Sequence, residues 1–384
     1  MKKIFLILIL LSLATIIAVC NNSYQDKPAQ TTGDKFANID SVIVHAIKDS
    51  AFPGAVVLVS KDGEVIYEKG FGHFTYDESS SEVKINTIYD IASLTKVIAT
   101  TTAAMSCLDR NLFQLNEPVY NHIPEFSENG KEAITIENLL LHNSGLPAWK
   151  KFYNKNLDAD SIIKNIYSIK PEYPAGTKTV YSDLGIIVLG KLIETVTHKK
   201  LDQYCNDEIF IPLKMNNTCF NPPDSVKYKI PPTEIDKHWR KKLVQGEVHD
   251  ETSSLLGGVA GHAGLFSTAE DLSKLIQMLL DEGIFSGKQF IKPETVKLFT
   301  KRHSPKSTRA LGWDTKSTTR SSAGNKFSKT SFGHTGFTGT SIWIDPERKL
   351  FVVFLTNRVY PSRENKKIIN VRPKLHNAVI SATD

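Results

Sequence analysis

The sequence predicts an α/β fold, in which strands and helices at both ends of the chain build a sheet lobe and a mostly helical block is inserted between them. Three observations carry this expectation. Apolar β-type runs joined by turn residues occur near the N-terminus and again in the final third. Segments with helical apolar spacing fill most of the middle. The 384 residues, 41% hydrophobic and 23% charged, describe a globular chain and exclude a disordered, collagenous or coiled-coil one.

The elements follow in order. Lys2 and Lys3 precede an apolar run from Ile4 to Val19, interrupted only by Ser12 and Thr15 and ending at Cys20. This run is shorter than the roughly 20 residues that span a bilayer, and a polar stretch follows at once, so residues 1–20 read as an export signal. The run ending on Cys20 resembles a bacterial lipoprotein signal, which implies lipidation of Cys20 and a cell-envelope lipoprotein; Val19 departs from the small residue usual before that cysteine. Residues 21–35, polar with Pro28 and Gly33, are expected to be a flexible tether, and residues 36–384 the folded domain.

Phe36 to Ile47 has helical spacing at Ile39, Val42, Val44 and Ile47. Ala55 to Val59 reads as a strand buried on both faces, and Asp62-Gly63 as a hairpin turn before Val65-Ile66-Tyr67. Ser93 to Leu108 reads as one helix buried on a broad stripe. From there to about Asp250 the pattern is mostly helical, with loops such as 221–232. Strands return at Thr340 to Asp345 and Leu350 to Thr356 around a Pro346 to Lys349 turn, and a helix-like tail runs from Lys366 to Ala382. A catalytic cleft is expected between the sheet lobe and the helical lobe, where ligand pockets commonly form.

Charge and cysteines exclude some functions. The net charge is +6, and the longest basic run, Arg240-Lys241-Lys242 beside Trp239, is too short to track a phosphate backbone, so nucleic acid is not an expected partner. Besides Cys20 there are Cys107, Cys205 and Cys219, an odd remainder that implies no disulfide framework. Neither Cys-x-x-Cys nor His-Glu-x-x-His occurs, and His249 and His262, which flank a Gly-rich stretch, read as hydrogen-bonded structural residues; no metal or cofactor is expected.

Three motifs carry chemistry. Ser93-Leu94-Thr95-Lys96 puts a hydroxyl and an amine on one face at the start of a helix, where the amine can take the hydroxyl proton. Ser81-Lys84 and Ser161-Lys164 share the spacing, but only the Ser93 copy opens a long buried helix, where desolvation is expected to lower the lysine pKa. Tyr181-Ser182-Asp183 follows a Pro174-Ala175-Gly176 turn and precedes an apolar helix, a junction from which a phenol can shuttle protons. Tyr204-Cys205-Asn206 is a rival, but it lies within a helical pattern without the preceding loop. His334-Thr335-Gly336 leads into a strand, where a cation, a hydroxyl and a glycine can hold a carboxylate; a Gly-rich hairpin with a solvent-facing histidine explains it equally well.

In this order the motifs resemble the serine β-lactamase and penicillin-binding protein superfamily, in the branch with class C β-lactamases, DD-carboxypeptidase-like proteins and related esterases. The likeness extends to Leu139-Leu140-Leu141-His142-Asn143-Ser144-Gly145-Leu146-Pro147, to Pro174-Ala175-Gly176-Thr177, and to Phe332-Gly333-His334-Thr335-Gly336-Phe337-Thr338-Gly339. The stretch from Val248-His249-Asp250-Glu251 to Gly264 looks like a peptidoglycan-linked subgroup. The resemblance implies a β-lactamase/transpeptidase-like fold, with an antiparallel sheet flanked by helices and an inserted helical lobe. It implies Ser93 as nucleophile, Lys96 and Tyr181 as the proton-transfer pair, and Asp183, His334, Thr335 and Gly336 as substrate contacts. It also implies an oxyanion hole from the Ser93 N–H and one near Gly339.

Asp183 stands where asparagine is usual, so it accepts from Lys96 but, ionised, donates nothing to a substrate carbonyl. His334 stands where β-lactamases carry lysine, and no Glu-x-x-Leu-Asn motif occurs. The expected function is therefore an exported serine hydrolase forming an acyl-enzyme on a peptidoglycan D-alanyl peptide. A carboxylesterase, a weak β-lactamase or a non-catalytic cell-wall-fragment sensor are the alternatives.

Overall fold

The computed structural model describes residues 34–384. The expected signal segment 1–20 with Cys20, and residues 21–33 of the expected tether, lie outside the described residues. Helix α1 spans Ala37–Lys48 and buries Ile39, Ile43 and Ala46. Strands β1 (Gly54–Lys61) and β2 (Glu64–Gly72) pair antiparallel through a turn whose two residues, Asp62 at φ +53° and Gly63 at φ +84°, both take the left-handed conformation that suits a tight hairpin.

Further along lie helices α2 (Thr102–Asp109), α3 (Asp183–Thr197) and α4 (Ala269–Leu280), then strands β3 (Asp314–Thr315), β4 (Phe332–Thr335), β5 (Ser341–Asp345) and β6 (Leu350–Thr356), and finally helix α5 (Ile368–Thr383). The six strands form one antiparallel sheet in the order β3-β4-β5-β6-β1-β2. Its central strands are buried at almost every position because both faces are covered. Ala55, Val57, Val59, Val352 and Phe354 meet Ile39, Ile43, Leu375 and Val379 of the two terminal helices. Val56, Leu58, Val353 and Leu355 face the other way, toward Leu272, Leu275 and Ile276 of α4.

That second core continues through Val97, Ile98 and Met105 into Leu139, Ile162, Leu189 and Ile193 of the helical block. The sheet and the inserted helices therefore share one hydrophobic core, and the segment from Lys96 to Asp109 is the common wall, buried on all sides along most of its length. Among the described residues no helix is long and apolar enough to cross a membrane.

Two local expectations are corrected. Ser93 to Leu108 is not a single α-helix: a 3-10 turn, Ala92–Leu94, and a π-helical stretch, Lys96–Thr101, precede α2. The Thr102 hydroxyl donates to the Val97 carbonyl five residues back, and the Thr100 hydroxyl donates out of the helix to the Gly261 carbonyl, so the usual ladder widens here. The regular helical pattern also ends near Phe210 rather than Asp250. Pro222, Pro223, Pro231 and Pro232 remove backbone donors, and the segment instead forms short strands at Cys219–Phe220, Glu234–Asp236 and Lys242–Val244.

Candidate active site

Ser93 sits on an elbow between a short strand, Tyr89–Asp90, and the π-helical stretch. Ala92 just before it has φ +47°, a strained value for a residue with a Cβ. The strain is held from both sides. The Ala92 N–H donates to the Asp90 carboxylate (2.8 Å), which also accepts from the His249 N–H (2.7 Å). The Thr338 and Thr340 hydroxyls of the β4–β5 turn donate to the carbonyls of Asp90 and Ile91. Gly336 is required here, because a Cβ would lie 2.6 Å from the Ile91 carbonyl.

One turn on, Lys96 is fully buried, and its ammonium contacts Ser93 Oγ at 3.0 Å, the His262 carbonyl at 2.9 Å and Asp183 Oδ1 at 2.8 Å. Burial lowers its pKa, but Asp183 and Tyr181 together outweigh burial and the net shift is upward. The expectation of a lysine pKa lowered toward the base range is thus corrected: Lys96 is an ammonium in the resting protein.

Gly261 lets the His262 carbonyl reach that ammonium, since a Cβ there would lie 2.3 Å from the Ile186 carbonyl of α3. The oxygens and nitrogens of Asp183, Asp250 and His262 converge within 4.8 Å, a geometry that could ligate a metal. Lys96 already supplies the cation of this cluster, and the His262 ring bonds Asp250 at 2.8 Å.

Tyr181 is carried by the segment around His142. The Val180 N–H donates to the His142 carbonyl, the Ser182 N–H to His142 Nδ1 (3.1 Å), and the Asp183 N–H to the Ala148 carbonyl. Ser182 caps α3 by accepting from the Gly185 N–H, which places Asp183 in the first turn, where the helix dipole favours a carboxylate. The Tyr181 ring lies against His142 (centroids 4.6 Å apart), with the Lys96 ammonium 5.0 Å from its centroid. Tyr204 is elsewhere: buried in a helix, its hydroxyl donates to Ser106.

Two cavities open on Ser93 and Tyr181. One, of about 340 Å³, is lined by His334, Thr335, Gly336 and Phe337 and by Arg309, Arg358, Arg372 and Lys366, with Asp314 the acid among them. The other, of about 380 Å³, is lined by Asp183, Asp250 and Glu251, by Lys150, Arg363, His249 and His262, and by the aromatic side chains of Trp149, Tyr153 and Phe337.

The chain matches the Beta-lactamase family over residues 39–374. It belongs to the β-lactamase family. Family members are serine hydrolases, and the antiparallel sheet with flanking helices is the β-lactamase/transpeptidase-like fold. An N-acetylmuramyl-L-alanine amidase of Bacillus subtilis (strain 168) is 34% identical over 364 residues, covering 86% of this chain and 82% of the relative. A putative D-alanyl-D-alanine carboxypeptidase of Escherichia coli (strain K12) is 32% identical over 344 residues, covering 81% and 79%. The crystal structure of a penicillin-binding protein homologue from Caulobacter crescentus superposes with a TM-score of 0.72 at 17% identity, covering 91% of this chain and 98% of that one, and so shares the fold.

In this β-lactamase-family cleft the structure brings Ser93, Lys96, Tyr181 and Asp183 together, with His334, Thr335 and Gly336 along one wall. It does not bring Gly339 there. That N–H donates to the Gly336 carbonyl, and the residue abuts Thr356 and Arg358 without itself lining either cavity. The expected charge of His334 is also corrected. His334 is buried; desolvation, then Arg309 and Lys96, hold its pKa well below the usual histidine value, so the ring is neutral. Its Nδ1–H donates to the Thr335 carbonyl, which leaves Nε2 as an acceptor facing no donor among the described residues. Arg309 has no local pattern that points to chemistry, and Asp250 and His262 lie in the stretch that resembles the peptidoglycan-linked subgroup without a role assigned there beyond a structural histidine; all three reach the site through the tertiary fold.

Proposed function

We propose that the protein is an exported serine hydrolase that forms an acyl-enzyme on Ser93 with a peptidoglycan-derived peptide, a D-alanyl peptide first. The observation that carries the reading is the buried Lys96 ammonium, held between Ser93 Oγ, Asp183 and the His262 carbonyl beside Tyr181. Such a cation stabilises negative charge developing on Ser93 Oγ in a water-poor site. With Lys96 already protonated, the Tyr181 hydroxyl acts as a relay: its oxygen accepts the serine proton as Oγ bonds the carbonyl carbon, and its own proton goes to the leaving nitrogen as the C–N bond breaks. Water then attacks the ester, its proton returning through Tyr181 to Ser93. Phe337 lines both cavities and its N–H makes no backbone hydrogen bond among the described residues, so the Ser93 and Phe337 N–H groups are the proposed oxyanion donors. The names of the two relatives motivate the substrate class.

Export and lipidation at Cys20 belong to the same reading and rest on Lys2, Lys3 and the apolar run ending at Cys20. Metabolic labelling with a fatty-acid analogue tests them: label lost in Cys20→Ala supports the anchor, and unlabelled wild type refutes it. The hydrolase is tested by mass spectrometry of intact protein against muropeptides, esters and β-lactams. The expected result is a transient adduct on Ser93 with D-alanyl peptides. Adducts with esters alone favour a carboxylesterase, and an adduct that never turns over favours a sensor.

A further inference from the structure

The chemistry at Ser93 makes no use of the aromatic side of the second cavity. Trp149 lines that cavity and is 59% exposed, and its indole makes no hydrogen bond or ring contact among the described residues. Its backbone is nevertheless held on both sides. The Ser182 hydroxyl donates to the Pro147 carbonyl (2.6 Å) and the Asp183 N–H to the Ala148 carbonyl (2.7 Å), so the chain before Trp149 is fastened to the start of α3. Phe152, buried in the core shared with the helical block, fixes the chain after it. Large aromatic side chains left in water around a cavity, on a backbone anchored beside the reacting groups, mark an interaction site.

Tyr153 lines the same cavity and is braced from behind. The Trp239 ring lies 5.9 Å from its ring and the Lys151 ammonium 4.7 Å from its centroid. Trp239 is in turn fixed by Arg240, whose guanidinium lies 4.7 Å from the indole and donates to the carbonyls of Val248 and His249. The charges of the cavity are largely balanced within it: Asp183 pairs with Lys96, Asp250 with His262 and Glu251 with Arg363, each at 2.8 Å. Of the charged residues lining it, only Lys150 has no partner among the described residues. The alkyl side chains of the lining, Ala92, Leu184, Ile187 and Ala263, are buried, so the apolar surface on offer is aromatic. An ion finds little uncompensated charge here, and an aliphatic side chain finds no pocket of its own. A pyranose ring suits both surfaces. Its C–H face lies flat on an aromatic ring, and its hydroxyl and acetamido groups bond the spare lone pairs of the paired carboxylates and the Lys150 ammonium.

We propose that Trp149, with Tyr153, forms a saccharide-binding ledge that takes a pyranose ring carried by the acyl half of the substrate. The inference rests on Ser93 attacking a peptidoglycan-derived peptide: the half that departs from a D-alanyl peptide is a single amino acid, so a sugar belongs to the half that stays. It makes the preferred substrate a glycan-bearing fragment and not a bare peptide. One D-alanyl pentapeptide, compared with an N-acetylglucosaminyl-N-acetylmuramyl disaccharide at its N-terminus and with a plain acetyl cap there, isolates the contribution of the sugar. Wild type should hydrolyse the glycosylated peptide about tenfold faster in kcat/KM, mainly through KM, the scale of one aromatic stacking contact. Trp149→Ala should bring the ratio of the two peptides close to one, and Trp149→Phe should keep part of it.

Binding is also read without turnover, by saturation-transfer NMR of chitobiose with the Ser93→Ala protein. Transfer to the sugar ring protons is expected, and it should vanish when Trp149→Ala is added. Four results would overturn the proposal: wild type with no preference, a preference that survives Trp149→Ala, a loss in Trp149→Ala equal for both peptides, which would reduce Trp149 to a support for the loop beside Asp183, or chitobiose transfer that is absent or indifferent to Trp149. If wild type hydrolyses neither peptide, or Ser93→Ala hydrolyses both at the wild-type rate, the substrate or the nucleophile assignment is wrong. That outcome is distinct, because the chitobiose signal with and without Trp149 still decides the ledge.

Discussion

Lys96 Nζ lies 2.8 Å from Asp183 Oδ1, with the lysine side chain fully buried and the aspartate side chain 27% exposed. The pair joins two segments 87 residues apart in the chain. It makes the charge of Lys96 a tertiary property, because burial lowers the amine pKa and Asp183, together with Tyr181, reverses that.

Asp183→Asn keeps the volume and removes the charge. Burial is then opposed by Tyr181 alone, and the Lys96 pKa should fall relative to the wild type. In the wild type the raised pKa gives a stabilisation fully present below 10.5 and lost only as pH rises through the higher folded-state value, so stability should not vary through this pair near neutral pH. The variant should lose on the order of 2 kcal/mol. The alkaline limb of its kcat/KM profile should move to lower pH; an unmoved limb would show that Asp183 does not set the charge of Lys96.

Ser93→Ala should abolish fluorophosphonate labelling with little change in thermal midpoint, since the change removes one partly exposed hydroxyl. Ser81→Ala and Ser161→Ala, which touch neither cavity, should label as wild type. Labelling that survives Ser93→Ala would falsify the mechanism.

Lys96→Ala and Tyr181→Phe should each slow acylation by about 10²-fold or more, and the double variant by less than the product, because both serve one proton path. Tyr204→Phe should leave acylation intact and lower stability by about 1 kcal/mol, through its lost bond to Ser106. Stopped-flow acylation of the four variants decides between the two tyrosines.

KM for a carboxylate-bearing peptide should stay flat from about pH 5.5 to 8.5, because His334 is neutral throughout that range. A KM that rises with pH through 6.5, for this peptide and not for an uncharged ester, would restore His334 as a charged anchor.

Glu234 is buried against Arg363 (2.6 Å) and His249 (2.9 Å), and Arg363 also reaches Glu251 (2.8 Å), closing the floor beside the second cavity. Burial pushes the Glu234 pKa up, but Arg363 and His249 prevail and hold it far below the ordinary 4.5. A depressed carboxylate contributes stability above its unfolded value and loses it as pH falls through the folded one. The wild-type thermal midpoint should therefore decline below about pH 4.5. Glu234→Gln should be destabilised by roughly 3 kcal/mol at pH 7 and decline less steeply in acid; parallel pH curves for the two would remove Glu234 from the acid response.

Much of the fold is legible in the chain because its signals are local. The unbroken apolar run at Ala55 to Val59, the Asp62-Gly63 turn and the spacing of Ile39 and Ile43 each report burial and backbone conformation within a few residues. The break of the Ser93 helix into π-helical and α-helical parts is not local, because the Gly261 carbonyl that draws off the Thr100 hydroxyl comes from a distant loop.

By itself the sequence determined the order and type of the main elements and the three motifs that meet at the cleft, since Ser93 with Lys96, Tyr181 with Asp183, and His334 with Gly336 each sit at a recognisable element boundary. Only the tertiary structure decided their charges and partners. Desolvation and the field of distant side chains set protonation, and neither is encoded in a short window: Asp183 keeps Lys96 an ammonium, burial beside Arg309 keeps His334 neutral, and Arg309, in a loop with no motif of its own, arrives over Tyr181 because the sheet and the helical block close around a common core.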